Sequence, residues 1–301
     1  MYRYVTSLVL VFLSSLSFAN EIVVEHFKGT LKLDHTPKRV VAIGYGVVDA
    51  LDQFGIKPVA VANATHLPHY LQQYGQASYP SAGSHFEPDF ESIYSQKPDL
   101  IIVGPRAATK YDELSKIAPT LVFTANLKHD YWASTQAQWR NLGKVFSIER
   151  QVELKIAQLD QKITAIKAYN QQHKVDAMTL LSVGENITSF GQDSRFSAIY
   201  QDFGFVETVD SLESGSHGDL VSFEFVMQSD PSIILAIDRN QLDASSNLDM
   251  ADILDNDLVK QTRAFKNAQI AMLDVDAWYL SIAGVSATEK MVEDIQQVLK
   301  L

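Results

Sequence analysis

One stretch of this sequence occurs twice. Phe90-Glu91-Ser92-Ile93-Tyr94-Ser95-Gln96-Lys97-Pro98-Asp99-Leu100-Ile101-Ile102-Val103-Gly104-Pro105-Arg106 aligns without a gap on Phe223-Glu224-Phe225-Val226-Met227-Gln228-Ser229-Asp230-Pro231-Ser232-Ile233-Ile234-Leu235-Ala236-Ile237-Asp238-Arg239, displaced by 133 residues. Each copy reads Phe-Glu, a helical stretch, a proline, a β-rich apolar run and then an arginine. A weaker echo pairs residues 50–56 with residues 199–205. A helix feeding a buried strand is half of an α/β unit, so two copies predict two structurally related lobes. With 301 residues, each lobe has enough chain to bury its own core.

The remaining sequence extends the pattern. Apolar runs at residues 40–43, 59–62, 100–103 and 121–123 alternate with helical stretches at 47–54 and 90–96, which predicts a parallel sheet. A second series follows at residues 179–183, 206–209, 233–237 and 270–273, with a helix over 195–203. Residues 21–39 read as a hairpin turning at Lys28-Gly29 and stopped by Pro37, and a last helix covers 287–299. Between the two series, Val152, Ile156, Leu159, Ile163 and Ile166 recur at three and four spacing without Gly or Pro. That periodicity predicts one long amphipathic helix over 149–173, a stiff strut rather than a flexible linker. The expected organisation is therefore a lobe at 20–148, a linking helix at 149–173 and a lobe at 174–301. The expected fold class is α/β, with two Rossmann-like lobes.

The N-terminus is read apart from the fold. Arg3 precedes an apolar run over residues 5–13 and the small-residue site Ser17-Phe18-Ala19, which predicts a signal peptide over 1–19 and export to a periplasm. No later stretch reaches about 20 uninterrupted apolar residues. The chain contains no cysteine, which excludes disulfides, thiolate metal sites, a thiol nucleophile and a lipid-bearing Cys at the cleavage site. Its net charge of −11 argues against nucleic acid and anionic membranes as partners. Any anion must be met locally.

Arg106 and Arg239 lie just beyond the carboxyl ends of the repeat-related strands, the edge at which open α/β sheets bind ligands. Arg195, after Gly191-Gln192-Asp193-Ser194, is read in the loop following the first strand of the second lobe. Three converging guanidiniums suit a compact polyanion, because each is permanently charged and presents a planar donor fork. His217, in Gly215-Ser216-His217-Gly218, and Tyr279, after the last strand, offer an imidazole nitrogen and a phenolate oxygen; phenolate is a hard donor that suits Fe(III). Glu91 and Glu224 sit in first helical turns, where an acid favours the helix dipole.

Other motifs are incomplete. Gly44-Tyr45-Gly46 opens like a dinucleotide fingerprint but lacks its third glycine and the acid ending the next strand. His66 and His69 flank Leu67-Pro68, and zinc would need further ligands. The Asp-rich residues 243–257 lack EF-hand spacing.

The export signal, the Phe-Glu-helix-Pro-Asp-Leu-Ile-Ile strand, the long linking helix and the series Arg106, Arg195, His217, Arg239 and Tyr279 resemble periplasmic siderophore-binding proteins of ABC importers, those that take ferric catecholates. The resemblance spans the mature chain. It implies a class III binding-protein fold, no catalysis, no intrinsic cofactor, and Fe(III) carried in by the siderophore. It further implies that the three arginines surround the ferric catecholate while His217 and Tyr279 complete the iron shell. A tris-catecholate of Fe(III) carries three net negative charges, matched by three arginines; a bis-catecholate leaves two coordination positions for His217 and Tyr279. Tyr45 could stack on a catechol ring, and Glu91 and Glu224 would dock a dimeric inner-membrane permease, the binding protein itself acting as a monomer. The rival expectations are haem or cobalamin as cargo and, from another class, a periplasmic metal-dependent hydrolase using His66, His69 and His217.

Overall fold

The computed structural model describes residues 21–63, 65–209 and 218–301. The expected signal peptide and His217 therefore lie outside the described residues. An antiparallel hairpin of β1 (Ile22–His26) and β2 (Gly29–Leu33) leads into a parallel sheet ordered β4-β3-β5-β6, formed by β3 (Val40–Ile43), β4 (Ala60–Val61), β5 (Leu100–Val103) and β6 (Thr120–Val122). Helix α1 (Tyr45–Gln53) follows β3, and α2 (Phe90–Ser95) precedes β5. Two long helices come next, α3 (Tyr131–Phe146) and α4 (Glu149–His173), the second with the predicted bounds.

The second sheet contains β7 (Asp176–Val183), β8 (Asn186–Phe190), β9 (Val206–Glu207), β10 (Asp219–Val221), β11 (Ile233–Asp238) and β12 (Ile270–Leu273). Its order is β10-β8-β7-β11-β12, with β9 also paired to β7. Helices α5 (Ser197–Gln201), α6 (Phe223–Ser229) and α7 (Val285–Leu299) complete the principal elements.

The repeat in the sequence is a repeat in the fold. The parallel set β9-β7-β11-β12 reproduces β4-β3-β5-β6. Each repeat helix is capped by the residue before its Phe: Ser92 N–H donates to Asp89 Oδ1 at 2.9 Å, and Phe225 N–H donates to Ser222 Oγ at 3.2 Å. Alternation within the repeat strands also matches. Leu100 and Ile102 face the main core with Ile233 and Leu235, while Ile101, Val103, Ile234 and Ala236 fill satellite cores on the opposite faces. Both faces are buried, which is why these strands read as continuous apolar runs.

Three expectations need correction. The second sheet is mixed, not wholly parallel, because β7 turns back through Gly184-Glu185 into antiparallel β8, to which β10 adds. Gly184 takes φ +61°, the left-handed conformation that a two-residue hairpin loop requires. The unforeseen helix α3 buries Trp132, Trp139, Leu142 and Val145 at helical spacing and packs on α4; the polar residues between them obscured the period. The helix expected over 195–203 is shorter, confined to α5.

The main core joins the two sheets. Val152, Ile156, Leu159, Ile163 and Ile166 of α4 are buried in it, each contributing about 1.5–3 kcal/mol. The last helix, α7, packs on α1, so the end of the chain returns to the first sheet's side. Gly46 permits this approach, since a Cβ there would lie 1.9 Å from the Ile282 carbonyl oxygen. Buried Asp49 of α1 then accepts from Ser286 N–H at 3.0 Å and Ala287 N–H at 2.9 Å, satisfying the first turn of α7.

Candidate functional site

The repeat places two arginines at matching turns. After β5, Gly104-Pro105 leads to Arg106 at the start of a 3₁₀ turn (Ala107–Lys110); after β11, Arg239 opens another (Arg239–Leu242). Buried Asp238 fixes the second turn by accepting from Ser182 Oγ at 2.6 Å, Asn240 N–H at 3.0 Å and Met250 N–H at 3.1 Å. Arg195 follows β8 rather than the first strand of the second sheet, a correction that comes with the hairpin. Tyr279 lies in a π-helical turn, Asp276–Leu280, that follows β12.

These four residues converge. The guanidinium carbons of Arg195, Arg106 and Arg239 lie 4.0, 5.8 and 5.9 Å from the Tyr279 ring centroid. Arg195 also donates from Nη2 to the Tyr279 carbonyl at 3.2 Å. The carboxylate ion pairs among the described residues all involve other cations. The four side chains line a cleft of about 810 Å³ with Tyr45, His66, His85, Phe86 and Asn240.

The electrostatics follow from this packing. Burial pushes the Tyr279 phenol up, but Arg195, Arg239 and Arg106 outweigh it and hold it below the ordinary tyrosine value. Burial lowers the Arg106 and Arg195 values, yet arginine starts so high that both keep their charge. His85 is brought down to about 4 by burial and then by Arg106, so it is neutral. The three arginines outnumber the carboxylate of Asp243 in the lining of this partly desolvated cleft, so their excess positive charge is unfavourable alone and favourable once a polyanion enters.

Other predicted residues fall elsewhere. Tyr45 is in the cleft wall but only 3% exposed; its hydroxyl pairs with Thr65 Oγ1 at 2.7 Å and its ring meets His85 edge-on, leaving little surface for stacking. Glu91 and Glu224 are exposed on the first turns of α2 and α6 and do not line the cleft. His66 and His69 grip the turn that carries Tyr279. His66 Nε2 lies 2.7 Å from Asp276 Oδ1, and His69 brings its backbone N–H to 2.9 Å and Nδ1 to 3.2 Å of Asp276 Oδ2. Ligand atoms of His69, Asp274 and Asp276 lie within 4.8 Å of one another.

Sequence reasoning missed His85 and Phe86. Phe86 is 57% exposed, with the Arg106 guanidinium 5.6 Å from its ring, so it offers the aromatic face that Tyr45 withholds. A signal was present. Gly83-Ser84-His85 duplicates Gly215-Ser216-His217, five and six residues ahead of the two Phe-Glu pairs.

The family described as periplasmic binding protein matches residues 40–277. The crystal structure of the periplasmic catecholate-siderophore binding protein VctP from Vibrio cholerae is similar with a TM-score of 0.89 and 54% identity, covering 92% of this chain and 99% of that one. The ferric-anguibactin-binding protein FatB of Vibrio anguillarum is 30% identical over 278 residues, 91% of this chain and 86% of that protein. The petrobactin-binding protein YclQ of Bacillus subtilis is 29% identical over 283 residues, 93% of this chain and 89% of that protein.

Proposed function

Because this chain belongs to the periplasmic binding protein family, we propose that it captures a ferric catecholate siderophore in the cleft and delivers it to an inner-membrane ABC permease for iron uptake. The observation that carries this reading is the ring of Arg106, Arg195 and Arg239 around Tyr279, none of the three ion-paired to a carboxylate among the described residues. The likeness to siderophore-binding proteins over more than nine-tenths of the chain supports it.

Capture is electrostatic. The acidic protein presents one cationic cleft, which draws in a ferric catecholate anion and meets its oxygens with guanidinium donors. Each charge-assisted hydrogen bond contributes roughly 1.5–3 kcal/mol, so three supply about 4.5–9 kcal/mol when the arginines are held in place beforehand, and packing of the cargo against the cleft wall must supply the rest of a sub-micromolar affinity. Fe(III) arrives as cargo. A hexadentate or tris-catecholate ligand fills its coordination sphere; with a bis-catecholate, Tyr279 and His217 supply the two remaining donors. The lowered Tyr279 value favours the phenolate that such ligation needs.

Residues 20–148 and 174–301 act as the two lobes, with α4 as strut and α7 tying the end of the chain to α1. This bracing limits closure to a small movement. Glu91 and Glu224, one per repeat, are the docking points for the two halves of the permease. Residues 1–19 direct export, and the mature protein works as a monomer without covalent chemistry.

Quenching of Trp132, Trp139 and Trp278 fluorescence by ferric bis- and tris-catecholates, haem and cobalamin tests the cargo. Saturable sub-micromolar quenching by a ferric catecholate, and weaker responses to haem and cobalamin, is expected. Preference for haem or cobalamin, or turnover of a metal-activated substrate, overturns the reading.

A further inference from the structure

The two histidines that the sequence leaves short of zinc ligands find them across the fold. His66 and His69 lie between β4 and α2, on the first sheet's side, with His69 opening a 3₁₀ turn (His69–Gly75). Asp274 and Asp276 follow β12 of the second sheet. His69 Nδ1 stands 3.2 Å from Asp276 Oδ2 and 3.7 Å from Asp274 Oδ2, and ligand atoms of the three residues all fall within 4.8 Å of one another. A tetrahedral zinc ion with bonds of about 2.0–2.1 Å sets its donors roughly 3.3–3.4 Å apart. One nitrogen and two carboxylates are therefore close to the spacing of a single coordination sphere.

Each donor is held from behind. The Asp276 side chain is 9% exposed; its Oδ1 meets His66 Nε2 at 2.7 Å, while Oδ2 accepts the His69 backbone N–H at 2.9 Å and keeps a second lone pair. Asp274 Oδ1 accepts from Ala277 N–H at 2.9 Å, so that Oδ2 is the oxygen approaching His69. The Asp274 backbone N–H donates in turn to Asp294 Oδ2 at 3.0 Å, and Lys290 pairs with Asp294 Oδ1 at 2.9 Å rather than with Asp274. The His69 ring rests edge-on against Tyr70, with centroids 4.8 Å apart. Two neighbouring carboxylates repel unless a cation joins them. The His69 side chain is 61% exposed, which gives an ion a path in from solvent and a water a fourth position.

We propose that His69 Nδ1, Asp274 and Asp276 bind a divalent transition metal, with His66 steadying Asp276 from behind. Zn(II) suits the mixed imidazole and carboxylate set, whereas Mg(II) and Ca(II) take oxygen ligands. The metal replaces the proton between His69 Nδ1 and Asp276 Oδ2. It clips the 66–69 segment of the first sheet's side to the turn that carries Tyr279, at the rim of the cleft that His66 also lines. This metal is a resident of the fold, distinct from the iron of the cargo, and the site stands whichever cargo the cleft takes.

Calorimetric titration of the EDTA-stripped mature protein with Zn(II), and thermal melts with and without the metal, test this. One Zn(II) per chain is expected, with a melting temperature that rises with Zn(II) concentration and returns on adding EDTA. His69→Ala and Asp274→Asn should each weaken Zn(II) binding by about tenfold or more and remove the thermal shift. Asp274→Asn keeps an oxygen for the Ala277 N–H, and a melt matching EDTA-treated wild type reports that each variant folds. His35→Gln, at an exposed histidine elsewhere, should leave the Zn(II) affinity unchanged. Absence of saturable binding to wild type, wild-type affinity in either ligand variant, or affinity that falls with His35→Gln or His217→Ala instead, overturns the site. Quenching by ferric catecholates is read separately, so the cargo reading stands or falls on its own.

Discussion

The Arg195 guanidinium lies 4.0 Å from the ring centroid of Tyr279 and donates to the Tyr279 carbonyl oxygen, which ties the loop after β8 to the turn after β12. The contact joins a cation–π interaction to a charge-assisted hydrogen bond. Arg106 and Arg239 approach the same ring from about 6 Å. One phenol thus sits in the field of three fixed charges brought from three separate loops.

That field favours the Tyr279 phenolate. Burial raises Tyr45, Tyr70, Tyr74, Tyr79, Tyr131 and Tyr200, whereas Tyr279 alone among the shifted tyrosines moves down. Absorbance at the phenolate band should show one tyrosine titrating below the usual value of about 10. Tyr279→Phe should remove that step and Arg195→Met should move it upward. A wild-type titration without an early step contradicts the arrangement.

The arginines should govern affinity without supporting the fold. Arg106→Ala and Arg239→Ala are each expected to weaken ferric-catecholate binding by roughly ten- to hundredfold, the equivalent of one charge-assisted hydrogen bond. Melting temperature should hold or rise, because each change relieves repulsion among like charges. Wild-type affinity in both variants would place the cargo elsewhere.

Asp49 predicts a pH-dependent tie between α1 and α7. Burial lifts its carboxyl to about 6, opposed by the hydrogen bonds from Ala287 and Ser286, while the unfolded chain titrates near 4. Between those values the folded protein holds a proton that the unfolded chain has released, so this group's contribution falls as pH rises from about 4 to 6. Asp49→Asn mimics the protonated form. Because its NH2 replaces one of the two accepting oxygens, it should fall below wild type in denaturant melts near pH 4 and narrow that gap by pH 7, while Asp49→Ala should lose about 1–2 kcal/mol through the missing cap. A pH-independent difference between Asp49→Asn and wild type would show that the carboxyl does not titrate in this window.

The proposed docking role of Glu91 and Glu224 separates delivery from capture in a test. Both are exposed and neither lines the cleft, so the double change Glu91→Ala, Glu224→Ala should preserve quenching titrations and abolish siderophore-dependent growth under iron limitation. Normal growth would leave the two acids with their helix-dipole role alone.

Local periodicity determined most of the architecture. The two copies of Phe-Glu-helix-Pro-strand-Arg announced paired lobes, and the apolar spacing over residues 149–173 announced the strut, because burial of regular elements imposes the periods of the elements themselves. The β7–β8 hairpin and α3 were less legible. Their apolar residues are interleaved with Ser, Thr, Asn and Gln, and their burial depends on partners distant in the chain.

The sequence by itself determined the lobes, the strut and the arginines at the strand ends. Tertiary structure alone decided that Arg195 would face Tyr279, that Tyr45 would be sealed into the wall while His85 and Phe86 reach the cleft, that His66 and His69 would grip Asp276, and that α7 would settle on α1. The reason is physical. A helix or strand leaves its period in consecutive residues, but a binding cleft is made where loops far apart in the chain meet, and their meeting is fixed by how whole elements pack.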